Sequence, residues 1–329
     1  MNKYKKVLRE IRKYKNFLLI SHTNPEGDSI GSQLAFEQLL KSMGRKAFIV
    51  NSDGPGAKYA FLPGSDKIRT AVGKNIKYDA VCFLDCADIK RIGNIYKTIN
   101  LTKPKINIDH HLSNTKFADI DLVEPNASST AEVVYTLFKQ AKVNIDKNCA
   151  INLYAGILTD TGSFSYSNVT PFTHEVLSDL LKRGIDTNAI FRNVYEQVSL
   201  PTIKLLSAAL STLKLSASGE VCWMTIRKEM FKKYNATLQD EENFVNFPRS
   251  LKGVEVAVFF TEVSINRVKV SLRSNNNADV NKIASCFGGG GHQKASGCTL
   301  KGTIASARQR VLSEVERQLK TCKKPKTRI

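Results

Sequence analysis

The stretch Phe17-Leu18-Leu19-Ile20-Ser21-His22-Thr23-Asn24-Pro25-Glu26-Gly27-Asp28-Ser29-Ile30 decides the fold. Its apolar run is too short for a helix and reads as a buried strand. The run passes directly into a polar loop, and helical patterning resumes from Ile30 to Met43. A strand feeding a loop and then a helix is the first half of a β-α-β unit. The same rhythm extends outward. Lys3 to Lys15 carries a helical stripe of Tyr4, Val7, Leu8, Ile11 and Tyr14. Ala47–Val50, Ala80–Leu84 and Lys105–Ile108 read as strands, and Thr130–Gln140 and Asn148–Leu158 as helices. This alternation predicts an α/β chain with a mostly parallel sheet and helices on both faces.

Beyond residue 185 the character changes. Ala189 to Val198 reads as a helical connector leading to Pro201, which divides the chain into residues 1–185, a linker at 186–205, and a smaller α/β domain at 206–329. In that second domain Cys222–Ile226 reads as a strand, Asp240–Leu251 as a helix cut short at Pro248, and Val254–Val263 with Arg267–Leu272 as a hairpin around Ile265-Asn266. A helix over Asp279–Phe287, the run Gly288-Gly289-Gly290-Gly291 and a final helix over Ile304–Leu319 complete it.

The composition narrows the function classes. The chain has 329 residues, 42% of them hydrophobic, which is enough to build cores. No apolar run approaches the ~20 residues of a membrane span, and no apolar segment follows the charged N-terminus as a secretory signal requires. Seven cysteines without a CxxC pair argue against a disulfide framework or a cysteine zinc site, and a reducing cytoplasm is expected. With 49 Lys and Arg against 30 Asp and Glu, the net charge of +19 favours polyanionic partners. The basic tail from Lys320 to Arg328 is expected to fray and to add nonspecific affinity for phosphates.

Four segments place metal-type residues where a predicted strand or helix ends. They are Ser21 to Ser32, with His22, Glu26 and Asp28; Leu84-Asp85-Cys86; Ile108-Asp109-His110-His111; and Leu158-Thr159-Asp160. Each has a plain structural account alone: His22 as a hydrogen-bonded loop histidine, Glu26 and Asp28 as helix caps, Asp85 and Asp160 as turn residues. Together they point elsewhere, because loops leaving the carboxyl ends of parallel strands converge on one crevice. Carboxylates with neutral imidazoles suit Mn2+, Mg2+, Zn2+ or Fe2+. His22, Glu26 and Asp28 can serve two adjacent ions from one loop, and Asp85 can bridge them. Crowded carboxylates repel without cations, and a pair of divalent ions is a phosphoryl-transfer device.

In this order, His22-x-Asn24-Pro25-Glu26-x-Asp28-x-x-Gly31-Ser32, Asp85, Asp109-His110-His111 and Asp160 resemble the DHH phosphoesterase superfamily. Ala127-Ser128-Ser129-Thr130-Ala131-Glu132, Gly156 to Phe164 and Gly289-Gly290-Gly291-His292 resemble its NrnA-like branch with a DHH-associated domain. The resemblance implies one metal on His22, Glu26 and Asp85 and a second on Asp28, Asp85, His110 and Asp160, two Mn2+ in all. His111 and Asp109 would be the catalytic residues, with His111 beside the scissile phosphate. Glu26 departs from the family's usual Asp and carries one more methylene. Arg273, Ser274, Gly289, Gly290, Gly291 and His292 would grip the substrate across a cleft from the metals, the glycine amides forming an anion nest with a helix starting just after.

The expected activity is hydrolysis of short oligoribonucleotides and of 3′-phosphoadenosine 5′-phosphate (pAp). The alternatives are cyclic or linear dinucleotides such as c-di-AMP and pApA, then pyrophosphate, then nucleic-acid binding without catalysis. Expected partners are short RNA or a nucleotide rather than a membrane, with a homodimer left open.

Overall fold

The computed structural model describes residues 2–73, 75–241 and 243–323, with the side chains of 322 and 323 excluded. Most of the basic tail therefore lies outside the described residues. The chain divides into two compact units, Met1–Gln197 and Val198–Ile329.

The first unit runs α1 (Lys3–Ile11), β1 (Asn16–Ile20), α2 (Gly27–Ser42), β2 (Lys46–Ile49), β3 (Ala80–Leu84), β4 (Lys105–Asp109), β5 (Ile120–Val123), α3 (Thr130–Ala141), α4 (Lys147–Asp160), α5 (Pro171–Leu181) and α6 (Thr187–Phe191). Its five strands form one sheet in the order β2-β1-β3-β4-β5, every pair parallel. Alternate residues of each strand serve opposite faces, as the pleat requires. Phe17, Leu19, Cys82, Leu84, Ile106 and Ile108 pack with residues of α1 to α4. Leu18, Ile20, Val81 and Phe83 pack with Ile92, Ile95 and Ile99.

The second face corrects the sequence reading. The 3-10 segment Ile89–Lys97, kinked at Gly93, and irregular chain cover it, where α-helices were expected. Gly54, Pro55, Gly56, Pro63 and Gly64 punctuate the connection after β2 and leave no run for a helix. Two further elements of this unit, β5 and α5, were not expected from the sequence. Strand β5 is only 4 residues long, and α5 opens on a Thr170–Thr173 capping box with Pro171 in its first turn.

The expected connector helix is divided. Helix α6 gives way to a π turn at Arg192–Glu196, and α7 (Leu200–Leu210) begins after the Ser199 cap, with Pro201 in its first turn. From α7 the second unit continues through β6 (Lys214–Leu215), β7 (Val221–Ile226), α8 (Lys228–Tyr234), α9 (Asn246–Arg249), β8 (Val256–Ser264), β9 (Arg267–Ser274), α10 (Val280–Ser285), β10 (Gly290–Gly291), β11 (Ala295–Lys301) and α11 (Ile304–Lys323). Its sheet order is β10-β11-β9-β8-β7-β6, with only β7 and β8 parallel.

The β8–β9 hairpin turns at Asn266, whose φ is +55°. Val311 and Val315 pack on one face with Val258 and Val270. Leu205 and Phe231 pack on the other with Ala257 and Phe259. The single helix expected over Asp240–Leu251 is instead a 3-10 turn at Leu238–Glu241 and the short α9. Asn243 between them has φ +69°, which no helix accommodates. No helix among the described residues is long and apolar enough to cross a membrane, and the six described cysteines are all free.

Candidate metal centre and active site

Three elements of the first unit end at one place. The loop after β1 carries His22, and its conformation is held by amides. The Ser21 N–H donates to Asn51 Oδ1 at 2.9 Å, and Asn51 and Gln33 exchange two side-chain hydrogen bonds of 2.8 and 2.9 Å. His22 Nδ1 lies 2.7 Å from the Thr23 carbonyl, which fixes that nitrogen as a donor and turns Nε2 inward. Nε2 meets Ser29 Oγ at 2.8 Å and Asp85 Oδ2 at 3.5 Å.

Asp85 follows β3 with φ +56°. Its Oδ2 accepts from Ser29 Oγ at 2.5 Å and its Oδ1 from Thr130 Oγ1 at 3.1 Å. His110 follows β4, with Nδ1 3.2 Å from the Ala127 carbonyl. Its Nε2 lies 3.3 Å from Asp160 Oδ2 and 3.9 Å from Asp85 Oδ1.

Asp28 sits in the first turn of α2, yet it caps α3. Its Oδ2 accepts from the Thr130 N–H at 2.7 Å and its Oδ1 from the Ala131 N–H at 2.8 Å. These are among the donors a helix start leaves without intrahelical partners, and the helix dipole favours a carboxylate there. The approach needs glycines. A Cβ on Gly156 of α4 would lie 3.0 Å from Asp28 Oδ1 and 2.7 Å from Ala131 Cβ.

Asp28, His110 and Asp160 bring ligand atoms within 4.8 Å of one another, as do Asp85, His110 and His111. Three residues of the expected second metal set thus converge in one group, with Asp85 close to His110. Of the first set, His22 and Asp85 are adjacent, while Glu26 is exposed just before α2 and belongs to neither group.

Asp109 is fully buried. Its Oδ1 accepts from His111 Nδ1 at 2.7 Å and its Oδ2 from Asn114 Nδ2 at 2.6 Å. It is a positioning residue, setting the tautomer and orientation of His111.

The charges of this cluster are unbalanced in a way that suits cations. Burial raises the Asp28 carboxyl well above its ordinary range, and the charges of Asp85 and Asp160 add to the rise. Burial also raises Asp160, to about 6; His110 and His111 oppose the rise, and Asp85 and Glu26 reinforce it. Burial works against the Asp85 charge too, but His22, His111 and His110 prevail and hold that carboxyl low. Buried carboxylates beside imidazoles, with backbone carbonyls orienting His22 and His110, form a donor set that fits divalent metal ions.

In the second unit Arg273 lies on β9, paired in register with Ala257 and Ala295, and its Nη1 donates to the Leu272 carbonyl at 3.0 Å. Ser274 is buried, and its hydroxyl donates to the Ala278 carbonyl at 2.7 Å. Glu255 orders the following loop by accepting from the N–H groups of Asn277 at 2.6 Å and Ala278 at 2.7 Å.

The glycine run forms the edge strand β10, and strand β11 follows it where a helix start was expected. The N–H groups of Gly288, Gly289 and His292 donate to Ser285, Ala284 and Ala295. The Gly288 and Gly289 amides are therefore already committed and do not contribute to an anion nest. Gly289 and Gly291 are required sterically: a Cβ would come within 2.2 Å of the Gly297 carbonyl and 2.5 Å of the Ala295 carbonyl, respectively. His292 is exposed.

Residues 16–157 match the model of the DHH family, N-terminal domain, and residues 223–321 match the DHHA1 domain. The bifunctional oligoribonuclease and PAP phosphatase NrnA of Thermus thermophilus is 31% identical over 92% of this chain and 89% of its own. The chain belongs to the DHH family. The Bacillus subtilis protein of the same name is 26% identical over 89% of this chain and 92% of its own. The crystal structure of an exopolyphosphatase-related protein from Bacteroides fragilis superposes with a TM-score of 0.91 at 29% identity, covering 98% of each chain.

Several contributors to this DHH centre escaped the sequence reading: Ser29, Thr130, Asn114, and the Gln33–Asn51 pair. Ser and Thr hydroxyls mark no chemistry by type, and their partners are remote in sequence. The one available signal was the Ser128-Ser129-Thr130 cluster before an apolar run, a helix-start pattern.

His111 gives a pH prediction. Burial alone would lower its imidazolium, but the Asp109 hydrogen bond and the Asp85 charge outweigh it and raise it to about 9 from the ordinary 6.5. A pKa higher in the folded state stabilises fully below the unfolded value and is lost as pH rises through the folded one. The Tm of the metal-free protein should fall between pH 6.5 and about 9, and His111→Asn should flatten that fall. An unchanged slope in the variant would assign the effect to another group.

Proposed function

We propose that this DHH protein is a Mn2+-dependent hydrolase of short oligoribonucleotides that also removes the 3′-phosphate of pAp, acting in the cytoplasm. The observation that carries the reading is the convergence of Asp28, His110 and Asp160 beside Asp85 at the carboxyl ends of β3 and β4. The names of the Thermus and Bacillus relatives supply the substrate class.

In this reading Asp28, Asp85, His110 and Asp160 hold one ion, and His22 and Asp85 hold the other with Glu26. Bound divalent ions supply charge neutralisation at the phosphate and a water of lowered pKa. Thr130 and Ala131 fix both oxygens of Asp28 through their amides. Ser29 and Thr130 fix Asp85 through hydroxyls, so these carboxylates need no reorganisation when substrate arrives. His111, oriented by Asp109, lies beside the scissile phosphate, where its imidazolium can donate a proton to a departing oxygen. Arg273 binds a second substrate phosphate.

A parallel hydrolysis panel with Mn2+ tests the reading: RNA dimers to pentamers, pAp, pApA, c-di-AMP and pyrophosphate. Turnover of RNA dimers and pAp is expected. Exclusive turnover of c-di-AMP or of pyrophosphate would replace the substrate assignment. Arg273→Ala should raise KM for RNA dimers about 10-fold, as expected for loss of one charge-assisted hydrogen-bond pair. A fall in kcat at constant KM would remove Arg273 from the binding role.

A further inference from the structure

The geometry points to Asn168 as a positioning residue that sets the spacing between the two carboxylates of the Asp28, His110 and Asp160 metal site. Its Nδ2 donates to two backbone carbonyls at once, Ser128 O at 2.7 Å and Asp160 O at 3.0 Å. Asp160 is the last residue of α4 and carries one carboxylate of the site. Ser128 lies two residues before Thr130, whose N–H, with that of Ala131, holds the carboxylate of Asp28. One amide thus ties the helix start that orients Asp28 to the helix end that presents Asp160.

Two further observations set this contact apart from ordinary loop packing. Asn168 Oδ1 is buried and has no hydrogen-bond partner among the described residues. An orphaned buried acceptor is unfavourable and calls for a reason other than stability. The chain that delivers Asn168 is also strained: after Gly162 at φ +53°, Ser163 and Phe164 hold φ values of +56° and +66°. Non-glycine residues seldom occupy that region, a bulky phenylalanine there is an outlier, and such strain collects where function demands it. Thr161 anchors the turn, its carbonyl accepting from the N–H groups of Ser165 and Tyr166, both at 3.0 Å.

This inference rests on the reading of the carboxylate–histidine cluster as a metal site. The test titrates MnCl2 into the metal-free full-length protein by calorimetry, and measures Tm, kcat and KM for an RNA dimer. Asn168→Ala should weaken Mn2+ binding about 10-fold, within the range for groups that orient metal ligands. It should lower kcat at limiting Mn2+, recover the rate at high Mn2+, and leave KM unchanged. Should the alanine variant fail to fold, Asn168→Ser carries the test, since its hydroxyl is too short to span both carbonyls, and the same weakening is expected. A folded variant with lowered Tm but unaltered Mn2+ affinity and kcat would reduce Asn168 to a structural residue and overturn the inference. Absence of Mn2+ binding by the unmutated protein would overturn the metal-site reading and this inference together.

Discussion

Asp85→Ala should reduce turnover by about 10³-fold or more, the equivalent of several kcal/mol of lost charge stabilisation at the reacting phosphate. The size of the effect follows from position. The Asp85 carboxylate contacts Ser29 Oγ at 2.5 Å and His22 Nε2 at 3.5 Å from the loop after β1 and the start of α2. It contacts Thr130 Oγ1 at 3.1 Å from the start of α3. From the end of β4, His111 Nδ1 lies at 3.6 Å and His110 Nε2 at 3.9 Å. On the proposed assignment it belongs to both ligand sets, so its loss should disable both ions, whereas loss of Asp160 should disable one.

The substitution should leave the fold intact. Removing one buried carboxylate weakens its attraction for three histidines but also relieves repulsion at Asp28 and Asp160. The backbone favours Asp85→Asn as a second variant, because φ is +56° here and asparagine tolerates that region better than alanine. Circular dichroism should be unchanged for the asparagine variant while turnover is lost. Turnover near the unmutated rate in a folded Asp85→Asn protein would end the bridging assignment.

Gly31→Ala is the second large effect, and it acts through packing. A Cβ at Gly31 of α2 would lie 2.3 Å from the Asn152 carbonyl oxygen and 3.3 Å from the Gly156 nitrogen, both backbone atoms of α4. A side chain can rotate out of such a clash, but helix backbone cannot, so the helices must separate. Overpacking of this kind costs about 1–3 kcal/mol, against which alanine recovers up to about 1 kcal/mol of helix propensity. A backbone approach of 2.3 Å puts the cost at the top of that range, so the net loss is about 2 kcal/mol, a fall in Tm of roughly 4–8 °C for a unit of this size.

Activity should fall with it, because Asp28 lies one turn before Gly31 on the same helix. Gly156→Ala separates the two consequences. Its Cβ would meet Asp28 Oδ1, a carboxylate oxygen of the site, at 3.0 Å and Ala131 Cβ, which is fixed to the backbone of α3, at 2.7 Å. It should therefore lower Tm as well, but weaken metal binding more than Gly31→Ala does for the same fall in Tm, because it presses on the Asp28 carboxylate directly. A Gly31→Ala protein with unaltered Tm would show that the contact between α2 and α4 relaxes freely.

The amino-acid sequence alone determined the alternation of strand and helix in the first unit, because a buried parallel strand must be apolar throughout. Ala80–Leu84 and the start of β4 at Lys105 agree with the strands observed. It also determined that ligand-type residues follow β1, β3 and β4 and close α4, since those polar positions interrupt apolar runs. Tertiary structure decided the rest. That Asp28 caps α3 rather than its own helix, that Asn168 joins Ser128 to Asp160, and that Glu26 stays exposed depend on contacts between residues up to 103 positions apart. Local periodicity carries no record of such contacts. The close crossing of α2 over α4 at Gly31 and Gly156 makes room for the Asp28 contact, and a glycine in a helix announces nothing until its neighbour's backbone is in place.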